Sequence, residues 1–150
     1  MNIFRAKQIA IELMGKHGLL ELGWKFQMDN AKRRFGVCMY QSKRISLSLP
    51  LTTLNNEEKV TDTILHEIAH ALVGNKHGHD WVWKQKALEI GCNGNRCYSR
   101  DEVETPKGNY VAICPNGHTR HRFKKPNKNQ SCGKCSKKFN PNAILVWNKV

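Results

Sequence analysis

No acidic residue follows Glu104 in this chain of 150 residues, although ten basic residues do. Apolar runs are short as well. The opening Met1-Asn2-Ile3-Phe4-Arg5 lacks the apolar stretch of a signal peptide, and no later window approaches the roughly 18 uninterrupted apolar residues of a membrane span. Internal repeats and low-complexity tracts are missing, which argues against solenoids and disordered polar tails. These absences leave a globular chain without a membrane role, and an intracellular, cytoplasmic setting is expected. Six cysteines in a reducing compartment read as free thiols or metal ligands rather than disulfides.

Hydrophobic content of 39% suffices for one moderate domain, or for a domain of about 100 residues with an appendage. The formal charge of +13 is unevenly placed. Residues 105–150 carry ten basic residues and no acidic ones, whereas residues 1–104 set fifteen basic against twelve acidic. An uncompensated cationic block of that kind usually meets a polyanion, most often nucleic acid, through counterion release; the alternative is a solvated basic tail.

Ile3, Ala6, Ile9, Ala10, Leu13 and Met14 recur at helical spacing and predict a first helix over 3–14. Three alternating runs follow, around Trp24-Phe26-Met28, Phe35-Val37-Met39 and Ile45-Leu47-Leu49, and predict short strands with one buried face, the third ended by Pro50. Asn55 or Asn56 can cap the next helix, whose stripe is Val60, Ile64, Leu65, Ile68 and Leu72 and whose stop is Gly74. A polar turn leads to a helix over about 80–90. The Gly-, Asn- and Ser-rich text from Cys92 to Gly108 predicts a linker.

The long helix carries His66-Glu67-Ile68-Ala69-His70, an HExxH motif. Positions four apart differ by about 40° in azimuth and one turn in height, so both imidazoles can reach one ion while Glu67 serves as base. Seven His and eight Glu give this pattern by chance in about two of a hundred shuffled chains, so its context must carry the reading. A catalytic zinc needs a third protein ligand and an open position. His77 and His79 are the candidates, each followed four residues later by a tryptophan, Trp81 and Trp83. His79 is preferred because it would sit at the start of the next helix. Zinc in such a site lowers the pKa of a water and polarises a scissile carbonyl, and Glu67 would take the proton and pass it to the leaving amine. The oxyanion partner stays open among Tyr40, Tyr98 and the second turn histidine.

Residues 105–150 are too few to bury a stable core alone. Cys114-Pro115-Asn116-Gly117-His118 and Cys132-Gly133-Lys134-Cys135 supply a closed Cys3His set for structural zinc, with His121 a competitor for His118. The apolar runs 110–113 and 143–147 flank these knuckles as strands would. Between them, Arg120-His121-Arg122-Phe123-Lys124-Lys125 could hold phosphates and stack a base on Phe123, unless that ring packs on the ribbon. Cys92 and Cys97 read as free thiols, and Cys38 as a small buried hydrophobe.

Together these residues resemble the SprT-like, or Spartan, family of metalloproteases. The likeness runs through His17-Gly18-Leu19, Arg34-Phe35-Gly36-Val37-Cys38, Ile45-Ser46-Leu47-Ser48, the helix from Thr63 to Leu72, the Gly78-His79 turn with Trp83, and the Cys/His ribbon. It implies an α+β fold: a zincin-like minimal metalloprotease domain over 1–104, with a linker from about 92, plus a small basic zinc ribbon over 105–150. The domain would hold an N-terminal helix, a three-stranded sheet, the HExxH helix and a following helix. The resemblance implies His66, His70 and His79 as ligands of a catalytic Zn2+ and Glu67 as base, with a second Zn2+ in the ribbon. Many relatives carry Cys-x2-Cys in the first knuckle; here Gly117 stands where the second cysteine would be and His118 substitutes. The implied activity is degradation of proteins bound or crosslinked to DNA, including single-stranded or distorted DNA, by a monomer in a nucleoid-associated or viral cytoplasmic setting. Two other classes fit less of the chain: a non-catalytic DNA-binding zinc protein, and a metallopeptidase with no nucleic-acid role.

Overall fold

A computed structural model describes residues 1–150 and divides them into two compact units, Met1–Pro106 and Lys107–Val150. The first opens with α1 (Ile3–Lys16), capped by the Asn2 side chain, which accepts from the N–H groups of Phe4 and Arg5. Ala6, Ile9, Ala10 and Met14 form its buried stripe. The strands β1 (Lys25–Asp29), β2 (Gly36–Met39) and β3 (Arg44–Ser48) make one sheet in the order β1-β3-β2, with β1 parallel and β2 antiparallel to the central β3. This placement leaves β2 as an edge.

The central strand departs from the one-face pattern its alternation predicts. Ile45 and Leu47 are buried, but so are Ser46 and Ser48 on the other face. Their hydroxyls are satisfied there: Ser46 donates to the Asp29 carboxylate and Ser48 to the Ala31 carbonyl. Short polar side chains tolerate burial when such partners exist. The strand stops at Ser48, before Leu49 and Pro50, and these two residues begin a short helix, α2 (Leu49–Leu54), that the sequence reading missed; Ser48 caps it by accepting from Leu51 N–H.

The helix α3 (Glu57–Val73) is the hub of the unit. Asn56 caps it, Glu57 and Glu58 occupy the first turn where the helix dipole favours acid, and Gly74, at φ +88°, ends it. Val60, Ile64 and Ile68 join the core formed with α1 and the sheet, and Leu65 and Ala69 face Trp83 and Ala87 of α4 (Trp81–Glu89). Full burial of a Val, Leu or Ile side chain contributes roughly 1.5–3 kcal/mol. No helix is long and apolar enough to cross a membrane.

The segment 92–104, predicted as a linker, is packed. Cys92 lies in the α3–α4 core and Val103 in the main core. Asn93 N–H donates to Asp62 Oδ1 (2.8 Å), the Tyr98 ring meets Phe35 edge-on, and the Tyr98 hydroxyl donates to the Arg33 carbonyl (3.3 Å). The Asn55 amide donates to the carbonyls of Leu51 and Glu104 (2.8 Å each), and its oxygen accepts from Glu104 N–H (2.9 Å). Composition alone hid this, because glycine and asparagine here serve turns and backbone bonds within a compact unit.

The second unit is a three-stranded antiparallel sheet, β5-β4-β6, from β4 (Tyr110–Ile113), β5 (Thr119–Arg122) and β6 (Val146–Lys149). The last strand begins later than 143: a 3-10 turn occupies Pro141–Ala143, with Asn140 accepting from Asn142 N–H at its start. Ala112, Cys114, Cys132, Ala143 and Leu145 are all the core there is, with Trp147 and Cys135 against it. The mixed α+β architecture with small sheets agrees with the sequence expectation.

Asn55 fastens the segment 92–104 to the rest of the first unit, and removing its amide takes the partners from both part-buried backbone groups of Glu104, while the Leu51 carbonyl keeps the Asn55 N–H. Asn55→Ala is expected to lower unfolding stability by about 1–3 kcal/mol, read from denaturant midpoints; an unchanged midpoint would show that the clasp contributes nothing.

Candidate metal centre and cleft

His66 and His70 stand one turn apart on α3, and the α3–α4 turn returns the chain so that His79 meets them. The three Nε2 atoms are 3.0 Å (His66–His79), 3.2 Å (His66–His70) and 3.0 Å (His70–His79) apart. Asp80 fixes the return by capping α4, accepting from Trp83 N–H at 3.1 Å. Buried Trp83 then lies against all three rings, stacked on His70 and with centroids 4.6 Å from those of His66 and His79. Its indole N–H reaches the His66 carbonyl at 3.4 Å. The sequence marked Trp83 as part of a repeated frame and of the family likeness; its role as the support of the rings comes from the structure.

Three neutral imidazole nitrogens at these separations cannot all satisfy one another. Each Nε2 either donates or accepts, so at least one of the three pairs must set like against like. A single cation at their centre removes the conflict, and tetrahedral nitrogen ligands at 2.0–2.1 Å from zinc stand about 3.3 Å apart. The donor set therefore fits one such ion. The rings are also held in ligand form: burial, then the neighbouring imidazoles, pushes His66 and His70 down to about 4, with a backbone hydrogen bond at Asn95 working the other way on His66. Burial and Arg96 lower His79 as well. His77 is taken up elsewhere, its Nδ1 3.0 Å from Asp80 Oδ2.

Glu67 is buried between α3 and the edge strand. Burial pushes its carboxyl up to about 8, and Arg34 only partly offsets this. Gly36 makes the space: a Cβ there would lie 3.0 Å from Glu67 Cγ and Oε1 and 3.1 Å from Leu47 Cδ2. Only a glycine inside a strand pattern hinted at this close approach.

These groups form the floor of a cleft of about 580 Å³, walled by residues 33–38 and by residues 93–100 of the packed segment. Tyr40 and Tyr98, considered for oxyanion support, both line it. Cys38 does too, half-buried rather than sealed in the core as expected, with burial and then Glu67 raising its thiol to about 12. Cys92 is buried and Cys97 exposed, and neither joins a metal-ligating group.

A second cluster lies in the ribbon. Cys114 Sγ is 3.7 Å from Cys135 Sγ, and His118 Nδ1 is 3.4, 3.5 and 3.3 Å from the sulfurs of Cys114, Cys132 and Cys135. Sulfur ligands at 2.3 Å from tetrahedral zinc stand about 3.8 Å apart, so this set also fits. Gly117, at φ +83°, turns the first knuckle, its N–H donating to Cys114 carbonyl. Burial opposes ionisation of Cys132, but the N–H groups of Cys135 and Lys134 outweigh it and hold the thiol below its usual range. Asn116 Nδ2 donates to Cys135 Sγ (3.2 Å). His121 sits on exposed β5, paired in register with Val111, outside this group.

The model of the SprT-like family matches residues 6–104, two thirds of the chain. The chain belongs to the SprT-like family. No match among curated proteins accompanies that result. The family is associated with zincin-like metallopeptidases, which is the chemistry that the histidine triad and Glu67 are suited to. The match ends before the ribbon, whose reading rests on its own Cys/His geometry.

Metal analysis separates the two turn histidines. His79→Ala is expected to lower bound zinc by about one ion per chain, while His77→Ala leaves it unchanged, since affinity depends on every ligand of a site. Gly36→Ala should keep the zinc and slow peptide hydrolysis by about 10²-fold, the scale of a small misplacement of a reacting group; unaltered turnover would mean that Glu67 tolerates the shift.

Proposed function

We propose that the chain is a zinc-dependent endopeptidase acting on proteins held on DNA, with His66, His70 and His79 holding the catalytic ion and Cys114, His118, Cys132 and Cys135 holding a structural one. The observation that carries the peptidase reading is the convergence of three ring nitrogens beside a buried glutamate at the floor of an open cleft. When bound there, zinc supplies Lewis acidity toward a scissile carbonyl and makes water more acidic.

The rest falls to the protein's own side chains. Glu67 Oε atoms receive a proton and return it to the departing amine, and a carboxyl tuned toward neutrality by burial suits both directions of transfer. The edge position of β2 lets an extended peptide lie along the wall, pairing with backbone groups as an added strand would. Trp83 keeps the rings in place, and Gly36 keeps room for the carboxylate.

Support for the DNA-directed half comes from the ribbon. Residues 105–150 carry ten basic and no acidic residues, and β5 presents Arg120, His121 and Arg122 to solvent, with Arg122 also 5.7 Å from the Trp147 ring centroid. Cations of this kind neutralise phosphates, and half-buried Phe123 follows them directly, as a base-stacking platform on single-stranded or distorted DNA would require. A monomer in the cytoplasm, bound to DNA there, is the matching setting.

Glu67→Gln should retain zinc while cleavage of a DNA-bound protein, and any self-cleavage, falls about 10²- to 10⁴-fold. Cleavage at the original rate would sink the peptidase assignment. In the same assay, a DNA affinity that does not decline with added salt would remove the ribbon's proposed role.

A further inference from the structure

The cleft wall carries charge that the proposed chemistry does not use. The Tyr98–Arg33 hydrogen bond and the Tyr98–Phe35 ring contact join the segment 92–104 to the run that enters β2, so both form one wall. Four arginines line the cleft: Arg33, Arg34, Arg96 and Arg100. Arg34 is committed to Asp29 at 2.9 Å. Arg96 and Arg100 are exposed, and no carboxylate or side-chain hydrogen bond holds either of them. The acidic residues lining the same cleft are Glu67 on its floor and Asp62, whose carboxylate already accepts from Asn93 N–H.

We infer that this cleft selects acidic peptides, with Arg96 and Arg100 receiving Asp or Glu side chains that flank the scissile bond. The inference rests on the peptidase reading above and names its substrate class. A peptide bond set against the triad places its neighbouring side chains within about two strand residues, roughly 7 Å, of the reacting carbonyl. That is the territory of the wall. Guanidinium groups match carboxylates in geometry as well as charge, and a cleft wall screens them less than open surface does. A nucleic-acid strand is disfavoured as the occupant, because a strand on this wall would lie where the peptide must lie, and a cavity of about 580 Å³ admits a few residues of extended chain rather than a duplex.

The test uses the full zinc-loaded chain and peptides that differ only in Glu, Gln or Lys on either side of the cleaved bond. The readout is the ratio of kcat/KM between peptides for one protein, so general losses of activity cancel. Glu over Gln should be favoured by up to about fivefold for each arginine–carboxylate pair, and added salt should compress the ratio. Arg96→Gln with Arg100→Gln should bring the ratio close to one, and Arg96→Glu with Arg100→Glu should turn it toward Lys peptides, a reversal that misfolding cannot produce. A wild-type preference for Gln or Lys, or a ratio that both double variants leave unchanged, overturns the assignment. So does a result in which the variants weaken only binding of a single-stranded oligonucleotide, since the arginines would then be phosphate contacts. Affinity of labelled Glu and Lys peptides for the Glu67→Gln chain keeps the two readings apart. Tighter binding of the Glu peptide supports the acidic selection even if the wild type cuts nothing, and equal binding overturns it.

Discussion

Three ring nitrogens brought within 3.0–3.2 Å of one another are the constraint around which residues 1–106 are arranged. Two of them come almost free from helix geometry, because i and i+4 share a face. The third does not: His79 lies beyond a turn and can be held only if α4 starts at a fixed place and angle. The Asp80 cap sets the start, and Trp83, three residues on, sets the angle by filling the space beneath all three rings while Ala87 and Cys92 anchor the same side of α4 to α3. Neutral imidazoles result from the same packing, since burial that rigidifies the rings also disfavours their protonation.

The sheet order follows from where Glu67 must be. A buried carboxylate needs a neighbour without a side chain, and Gly36 on β2 is that neighbour. Because β3 takes the centre of the sheet, β2 stays at the edge, with one side bonded and the other bordering the cleft. The cost of burying both faces of the central strand from Ile45 to Ser48 is offset by pairing: Ser46 donates to Asp29 and Ser48 to the Ala31 carbonyl. Burial raises the Asp29 carboxyl, but the Ser46 hydroxyl, the Ala31 N–H and Arg34 together hold it below the usual range. Arg34 is thereby tied to the sheet rather than to the cleft's contents.

Much of this arrangement was legible because it is local. Helix stripes, caps and stops are written within a few residues of where they act. HExxH and the Cys/His knuckles are equally local, so seven candidate ligands could be named, with His77 and His121 as competitors for two of the places. What escaped the reading depends on partners far along the chain. The segment 92–104 looks like a linker until Asn55, nearly fifty residues earlier, binds both backbone groups of Glu104. Ser46 looks solvent-facing until Asp29 of the neighbouring strand accepts its hydroxyl. Cys38 looks like core until Glu67 and the cleft occupy the other side of its strand. Arg96 and Arg100 look like linker charge until the same segment becomes a wall.

The two groups that could hold a metal ion differ in their chemistry. Three nitrogens from one helix and one turn leave a position open, and they sit in a unit whose own apolar core, built on Ile45, Leu47, Ile64 and Ile68, holds the elements that carry them. An ion there adds reactivity to a frame that packing already supports. The ribbon inverts this relation. Five small or medium side chains form its entire core, two of them the ligands Cys114 and Cys132, so the atoms that would bind the ion are also the atoms around which the unit packs. Three sulfurs and one nitrogen close the coordination shell and leave nothing for a substrate. A unit organised this way has little apolar surface to bury, and its ten basic residues, which no acidic residue of the same segment offsets, add self-repulsion that the bonds to an ion would have to outweigh.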